Sequence, residues 1–446
     1  MHHDLRQAVR RVLPAVRSDL EALVRIPSIS ADAGSLDAVR RSAEITALLF
    51  RNTGSPQVDI LDDIEGGRPA VLVRYAAPPG QPTALLYAHH DVQPAGDPTK
   101  WSSPPFQPTE REGRLYGRGT ADDKAGIAAH LAALRAHSGR PPIGVTVLVE
   151  GEEEIGSPNL GTFLTRHRDT LDADVVVLAD ADNLTSGTPC LTTGLRGIAS
   201  CTVELRALER GVHSGIYGGA APDALTALCR LLATLHDEQG NVTVEGLATA
   251  TALAGGPSEA GFRAEAGLLD GVHLLGSGSI AQRLWSRPAA TVLAIDATPV
   301  DAASNTLAPM ARAKVGLRLA PGDDAVAARQ ALARHLRHHT PWGLHVTVTE
   351  GEAGQPFAVD ARGPAFDAAR RAYGRAYGSD VVDIGSGASI PFIAAFAHAY
   401  PDAAILIASA GADGDSRTHS VNESLHLADF EHACLAEALL LAELRQ

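Results

Sequence analysis

The 446-residue sequence predicts an α/β protein into which a second domain is inserted, and its length fits two domains better than one. Residues 1–193 alternate helical patterns with strand-like apolar runs, as layered α/β folds do. Residues 194–354 instead follow the order βαββαβ of a ferredoxin-like sandwich, with an irregular insertion after the first helix. We therefore predict one α/β domain from residues 1–193 and 355–446, interrupted by a ferredoxin-like domain over 194–354.

The first domain begins with a helix and contains several buried strands. Residues 5–24 carry apolar side chains at helical spacing, and Pro27 ends that helix. A second helix is predicted from Asp122 to His137. Four apolar runs between the helical segments predict strands at 84–88, 145–149, 174–179 and 403–408. The chain is predicted to end in a helix over 427–444.

The inserted domain alternates strands and helices in its own order. Its predicted strands span 198–207, 291–296, 312–320 and 344–350. Its predicted helices span 323–338 and 222–236, the latter with a proline in its first turn. Irregular residues rich in Gly and Ala separate the first of these helices from the second strand.

Composition excludes several classes of function. Apolar residues make up 45% of the chain, which is typical of a globular protein. The net charge of −14 excludes nucleic acid and anionic membranes as partners, since no basic surface is available for phosphates. No apolar run approaches the ~18 residues of a membrane-spanning helix, and the N-terminus lacks a signal-peptide pattern. The four scattered cysteines are typical of a reducing compartment, so we expect a cytoplasmic protein.

Acidic and histidine residues follow three of the predicted strands. In chain order they are His89, Asp91, Glu152, Glu153, Glu154 and Asp180. Because the carboxyl ends of parallel strands meet at one edge of a sheet, we expect these side chains to lie together. Asp122 and Asp123 at a helix start, and His419 in a late loop rich in Gly, Asp and Ser, extend the set. Carboxylates and imidazoles gathered in one cleft predict a pair of divalent metal ions.

Each of these motifs taken alone has an ordinary structural explanation. A His-x-Asp segment is often a solvated turn, Asp at a helix start is usually a cap, and a run of glutamates is usually a solvated surface. Metal ions explain the set better, because buried strands would otherwise end in carboxylates that repel one another. Asp91 is then placed to accept the second N–H of a metal-bound His89. Asp182 lies close to Asp180, and the residue pattern alone does not choose between them.

The sequence offers no side-chain nucleophile. It has no Gly-x-Ser-x-Gly elbow and no cysteine in a catalytic setting, and the Gly-rich segment at 117–119 lacks the phosphate-binding pattern. An activated water is therefore the favoured nucleophile. In the inserted domain, His213 lies in a glycine-flanked loop, which suits a lid group that reaches a substrate. The alternative for His213 is an ordinary turn histidine.

Five segments resemble, in order, the motifs of the M20 family of co-catalytic zinc metallopeptidases, and within it the dipeptidase-type branch. They are 87–94 (YAHHDVQP), 117–124 (GRGTADDK), 153–157 (EEIGS), 213–219 (HSGIYGG) and 418–423 (THSVNE). The resemblance covers nearly the whole chain. It implies a zinc-peptidase-like catalytic domain interrupted by a lid domain that also forms a homodimer.

The resemblance also implies two zinc ions, or cobalt or manganese in their place. One ion would be bound by His89, Asp122 and Asp180, and the other by Asp122, Glu154 and His419. Asp180 is preferred to Asp182 because the segment from 174 to 197 matches the family's spacing without a gap. The family geometry further implies that the peptide bond between Asp122 and Asp123 is cis.

Other residues take catalytic or binding roles by the same resemblance. Glu153 would be the general base, and His213 of a partner subunit would stabilise the oxyanion. Arg318 would contact a substrate carboxylate, and Asn305 would support the lid. The implied activity is hydrolysis of dipeptides or short peptides that carry a free C-terminal carboxylate.

Two departures from the family pattern concern the choice of substrate. Gly211 stands where the family often has Asp, and residues 385–391 read GSGASIP where many dipeptidases have REGGSIP. One alternative function is hydrolysis of N-acyl or N-carbamoyl amino acids, because the same groups cleave any suitable amide. A more remote alternative is a catalytically silent binding or scaffold protein with the same fold.

Overall fold

The computed structural model describes residues 2–54, 57–251, 253, 255–387 and 391–445. The chain forms two compact units. The first unit consists of Met1–Thr193, Val359–Ile384 and Pro391–Gln446, and the second unit of Gly194–Ala358 and Gly385–Ile390. The assignment of a catalytic domain to 1–193 with 355–446, and of a lid to 194–354, stays a prediction.

The helices are, in chain order, α1 His2–Val24, α2 Leu36–Arg51, α3 Lys124–Ala136, α4 Leu160–Arg166, α5 Arg168–Leu171, α6 Ser214–Tyr217, α7 Ala224–Ala233, α8 Glu259–Glu265, α9 Ala325–His338, α10 Pro364–Tyr377, α11 Pro391–Ala399 and α12 Leu427–Glu443. The sequence analysis predicted α1, α3, α7, α9 and α12, and it predicted none of the other helices. Among the described residues, no helix combines the length and the apolar character needed to cross a bilayer.

The strands are, in chain order, β1 Gln57–Leu61, β2 Ala70–Tyr75, β3 Thr83–His89, β4 Thr109–Arg111, β5 Arg114–Tyr116, β6 Gly144–Glu150, β7 Val175–Leu178, β8 Cys190–Leu195, β9 Gly197–Arg206, β10 Val212–His213, β11 Ala289–Asp296, β12 Thr306–Leu307, β13 Met310–Leu319, β14 His345–Gly354, β15 Phe357–Ala358, β16 Val382–Ser386, β17 Ala404–Ile407 and β18 Ser424–His426.

The first unit is built on a six-stranded sheet with the order β1-β2-β6-β3-β7-β17. The four strands β6, β3, β7 and β17 run parallel. Beyond β6, β2 runs antiparallel to β6, and the edge strand β1 runs antiparallel to β2. Every residue of β6 and β7 is buried, which explains their continuous apolar sequences. The predicted α/β fold class, with strands at 84–88, 145–149, 174–179 and 403–408, is confirmed.

Helices α1, α3, α10 and α12 pack into one core with this sheet. In α3, every residue except Arg135 is buried, and its many alanines and one glycine allow neighbouring elements to approach closely. The carboxylate of Asp123 caps this helix by accepting a hydrogen bond from the N–H of Gly126 at 3.2 Å. Its other oxygen accepts a hydrogen bond from the N–H of His89 at 3.3 Å, which holds the start of α3 next to the carboxyl end of β3.

The second unit contains an antiparallel sheet with the order β11-β13-β9-β14. Apart from the short elements β10, α6 and β12 and the insertion after α7, its elements follow along the chain as β9, α7, β11, β13, α9 and β14, so the predicted βαββαβ order is confirmed. Helices α7 and α9 bury their apolar faces against the sheet through residues such as Leu228, Leu231, Leu332 and Leu336. The insertion between α7 and β11 contains α8 and a turn of π-helix at Gln282–Ser286.

Candidate metal centre

Five candidate metal ligands and the candidate general base lie in the first unit, near the edge where its parallel strands end. Four of them end or follow β3, β6 or β7, namely His89, Glu153, Glu154 and Asp180. The other two are Asp122, just before α3, and His419, in the loop between β17 and β18. Because β6, β3 and β7 are adjacent and parallel, the side chains at their carboxyl ends converge.

Among these six residues, potential ligand atoms within 4.8 Å of one another form two clusters, one of His89, Glu153 and Asp180, the other of Asp122, Glu154 and His419. Asp122 connects the two. Its Oδ1 lies 2.9 Å from Nε2 of His89, and its Oδ2 lies 3.0 Å from Nε2 of His419. Nε2 of His419 is also 3.0 Å from Oε2 of Glu154. A carboxylate that turns one oxygen toward each cluster has the geometry of a bridging ligand.

The carboxylates of this cleft are crowded and poorly solvated. Burial raises the pKa of Glu153 to about 9, and neighbouring carboxylates add to the effect. Burial, followed by the charge of Asp122, raises the pKa of Asp180 to about 7. For Asp122 itself, burial is outweighed by hydrogen bonds with His419 and His89, and its pKa is lowered. Such a cleft must hold protons or cations, and its carboxylate oxygens and imidazole nitrogens fit divalent zinc, cobalt or manganese.

Asp91 supports this cleft in two ways. Nδ1 of His89 lies 3.1 Å from the carbonyl oxygen of Asp91 and 3.4 Å from its carboxylate. The same carboxylate accepts hydrogen bonds from the N–H groups of Glu153 at 3.3 Å and Glu154 at 3.1 Å. Asp91 therefore fixes the orientation of His89, as its position in the sequence suggests, and also fixes the turn that carries the two glutamates. The second role was not predictable from the sequence.

Glu423 is a further buried residue of the site, and the sequence analysis assigned it no role. Its Oε1 accepts hydrogen bonds from the N–H groups of Gly119, Ala121 and Asp122 at 3.0, 3.0 and 3.3 Å. Its Oε2 pairs with Nη1 of buried Arg118 at 2.5 Å. Glu423 thereby holds the segment that presents Asp122. The peptide bond between Asp122 and Asp123 is cis, so that expectation is confirmed.

Glu423→Gln is expected to weaken metal binding by about 10- to 100-fold, the usual effect of losing a residue that orients a ligand. Glutamine has the same size, but it removes the negative charge opposite Arg118. Its NH₂ group must also face either Arg118 or the backbone N–H groups, which are donors themselves. Metal affinity is measured by titration of the metal-free variant. Glu437→Gln is the matched control, because this buried carboxylate pairs with His130 instead. Unchanged metal affinity in Glu423→Gln would contradict the positioning role.

The remaining sequence-predicted residues, His213, Asn305 and Arg318, lie in the second unit. His213 is exposed at the end of β10, and its Nδ1 accepts a hydrogen bond from the N–H of Gly215 at 3.0 Å. The neutral ring therefore carries its proton on Nε2, which leaves Nε2 free to donate. The N–H of Ser214 donates to the carbonyl of Asn305 at 2.8 Å, so these two loops lie together. Arg318 lies on β13 and is exposed.

The two departures from the family pattern have packing reasons within the second unit. A Cβ atom on Gly211 would lie 2.9 Å from Cγ2 of Thr306. A Cβ atom on Gly385 would lie 2.6 Å from Cβ of the buried Trp285. An Asp at 211 or an Arg at 385 would therefore have to displace a neighbouring side chain. Residues 388–390 of the same loop lie outside the described residues.

Sequence comparison places this geometry in a family. The chain matches peptidase family M20/M25/M40 over residues 85–443. The cysteinylglycine-S-conjugate dipeptidase of Corynebacterium striatum is 37% identical over 407 residues, which cover 90% of this chain and 88% of that protein. The beta-Ala-His dipeptidase of Rattus norvegicus is 28% identical over 383 residues, which cover 80% of this chain and 76% of that protein.

Solved structures show the same fold. A dipeptidase from Saccharomyces cerevisiae matches with a TM-score of 0.80 and 23% identity, covering 100% of this chain and 98% of that chain. Human carnosine dipeptidase 1 matches with a TM-score of 0.82 and 22% identity, covering 99% of this chain and 98% of that chain. At such identities these structures support the fold alone, whereas the family match extends over most of the sequence. The chain therefore belongs to peptidase family M20/M25/M40 and is a metal-dependent hydrolase that acts on peptide bonds.

Proposed function

We propose that this enzyme is a dinuclear zinc dipeptidase that hydrolyses dipeptides or short peptides with a free C-terminal carboxylate. The main support is the position of Asp122, whose two oxygens lie 2.9 and 3.0 Å from Nε2 of His89 and Nε2 of His419. The names of two relatives, a cysteinylglycine-S-conjugate dipeptidase and a beta-Ala-His dipeptidase, support the substrate class. Four free cysteines support a reducing, cytoplasmic location.

Metal content tests the proposal directly. The purified protein is expected to bind two zinc ions per chain, with cobalt or manganese as substitutes, and to hydrolyse dipeptides only when loaded. Asp122→Asn should lose both ions, because the shared carboxylate is removed. Asp182→Asn is the matched control and should keep both, since we assign the ligand role to Asp180. Elemental analysis gives the number of bound ions. Two ions retained in Asp122→Asn would contradict the assignment of Asp122 as the shared ligand.

When bound, the two ions would lower the pKa of a shared water and polarise the scissile carbonyl. Glu153 would accept the proton of the attacking water and then deliver it to the leaving amine. Burial and the neighbouring carboxylates favour uptake of a proton by Glu153. The bound cations would offset this preference, so that Glu153 starts ionised and can act as the base. Asp91 would hold the His89 ring and the Glu153–Glu154 turn in place during both proton transfers.

We further propose that the second unit acts as a lid and forms a homodimer, in which His213 serves the partner's site. The neutral His213 ring has Nε2–H available for an oxyanion, because Nδ1 accepts from Gly215. β11 is an edge strand of its sheet and exposes Leu293 and Ile295, which suits pairing with a second copy. Arg318 would bind the substrate carboxylate, and Asn305 would support the His213 loop.

His213→Ala is expected to lower kcat by about 10²–10³-fold, the usual loss for one oxyanion donor, with unchanged metal content. Mixing His213→Ala subunits with inactive Glu153→Gln subunits should restore part of the activity. Each mixed dimer would then hold one site with an intact Glu153 and an intact His213 supplied by the other subunit. His338→Ala, which removes an exposed histidine of α9, is the control. If subunits exchange and no activity returns, His213 does not act in the partner's site.

Hydrolysis of N-acyl or N-carbamoyl amino acids is the second candidate activity. It is favoured by the loop at 385–391, because Gly385 and Ser386 stand where many dipeptidases of the family carry an Arg-Glu pair. The buried Trp285 occupies the space that a side chain at 385 would need. A parallel assay of dipeptides and N-acyl amino acids with the zinc-loaded protein separates the two activities by their kcat/KM values.

A further inference from the structure

A large cavity in the second unit combines apolar walls with positive charge. Its volume of about 750 Å³ is that of a site for a small organic ligand. Apolar side chains of the insertion between α7 and β11 form much of its wall, among them Phe262, Leu268, Leu274, Leu275 and Ile280. No described residue of the lining is Asp or Glu, although the chain carries 52 acidic residues and a net charge of −14. The cavity therefore favours an anion over a cation.

Arg196 is the buried charge of this cavity. The residue is only 6% exposed, and a single guanidinium nitrogen, Nη1, donates a hydrogen bond, to the carbonyl of Leu284 at 2.9 Å. Nε and Nη2 have no hydrogen-bond partner among the described residues. The positive charge of Arg318 repels the Arg196 guanidinium and does not neutralise it. A buried cation with two unused donors is costly unless an anion reaches it.

Two further arginines, Arg283 and Arg287, line the same cavity and are half-buried. Nε of Arg283 donates to the carbonyl of Gly278 at 3.0 Å, which fixes the direction of its side chain. Within the described part of the chain, none of the three cavity arginines has a carboxylate as an ion-pair partner. Planar guanidinium groups of this kind match the geometry of a carboxylate.

We propose that this cavity binds a small amphipathic carboxylate, with the carboxylate on Arg196 and the apolar body against Phe262, Leu268 and Ile280. Such a ligand supplies acceptors for Nε and Nη2 of Arg196 and removes its own apolar surface from water. An inorganic anion would make no apolar contacts with the wall. A neutral apolar molecule would leave the charge of Arg196 without an anionic partner. The site lies within the second unit and does not rest on the proposed dipeptidase activity.

Calorimetric titration of the full-length, metal-loaded protein with octanoate tests the proposal. Octanoate is expected to bind saturably, with octanamide and acetate weaker by at least about tenfold, since each lacks one of the two required features. Arg196→Gln should weaken octanoate binding by about 10- to 100-fold, the range for a lost charge-assisted hydrogen bond, and leave octanamide binding unchanged.

A matched pair of variants keeps the test decisive if Arg196→Gln does not fold. Ser277 is an exposed residue of the lining, and only its backbone N–H is held, by Asn241. Ser277→Glu should weaken octanoate binding through charge repulsion, whereas Ser277→Lys should retain or strengthen it. Asp122→Asn controls for carboxylate binding at the metal centre and should retain octanoate binding. Equal binding of octanoate and octanamide, no binding of octanoate, or loss of binding only in Asp122→Asn overturns the proposal.

Discussion

Glu153→Gln is expected to lower kcat by about 10²–10⁴-fold, the usual contribution of a general base, while both metal ions stay bound. Glutamine has the size of glutamate but does not accept the proton of the attacking water. Oε2 of Glu153 lies 3.9 Å from Nε2 of His89, close enough to reach a water held in the same cleft. The measurements are kcat with a dipeptide and metal content by elemental analysis.

The neighbouring residue provides the matched comparison. Oε2 of Glu154 lies 3.0 Å from Nε2 of His419, and its Oε1 accepts a hydrogen bond from the N–H of Gln93 at 2.9 Å. Glu154→Gln is therefore expected to weaken the binding of one metal ion, and turnover should return at high metal concentration. Near-normal turnover in Glu153→Gln would show that the general base lies elsewhere. Loss of metal in Glu153→Gln but not in Glu154→Gln would reverse the two assignments.

Removal of the metal ions is expected to make the stability of the protein strongly dependent on pH. Burial raises the pKa of Asp180 from 3.8 to about 7 and that of Glu153 from 4.5 to about 9. Each group binds its proton more tightly in the folded state, so the free energy of unfolding falls as pH rises from the unfolded pKa to the folded pKa. Between about pH 5 and about pH 9 the metal-free protein should lose on the order of several kcal/mol.

The metal-loaded protein should lack most of this dependence, because divalent cations replace the protons that the carboxylates otherwise need. Thermal midpoints measured across the pH range, with a chelator or with zinc, give the comparison. Asp180→Asn removes one of the raised carboxyl groups, so its metal-free form should lose less stability toward alkaline pH than the metal-free wild type. A metal-free stability that rises or stays level over this range would contradict the account.

The sequence was sufficient to predict the sheet strands that carry the site. Apart from Thr146 and the exposed Asp174, the runs at 84–88, 145–149 and 174–179 consist of buried apolar residues, and they form β3, β6 and β7. Burial on both faces leaves no alternation of polar residues, so such strands are recognised by their continuous apolar character. The chemistry at their ends was also predictable, since polar groups that follow buried strands meet at one edge of the sheet.

The sequence by itself therefore determined the fold class, the order of the elements and the residue types that gather at the strand ends, because these depend on local patterns. Only the tertiary structure decided which oxygen of Asp122 faces which histidine. It also decided that Glu423 holds N–H groups about 300 residues away in the chain, and that Arg196 is buried without an anion. These features depend on long-range packing, which brings together groups whose spacing in the sequence carries no period or motif.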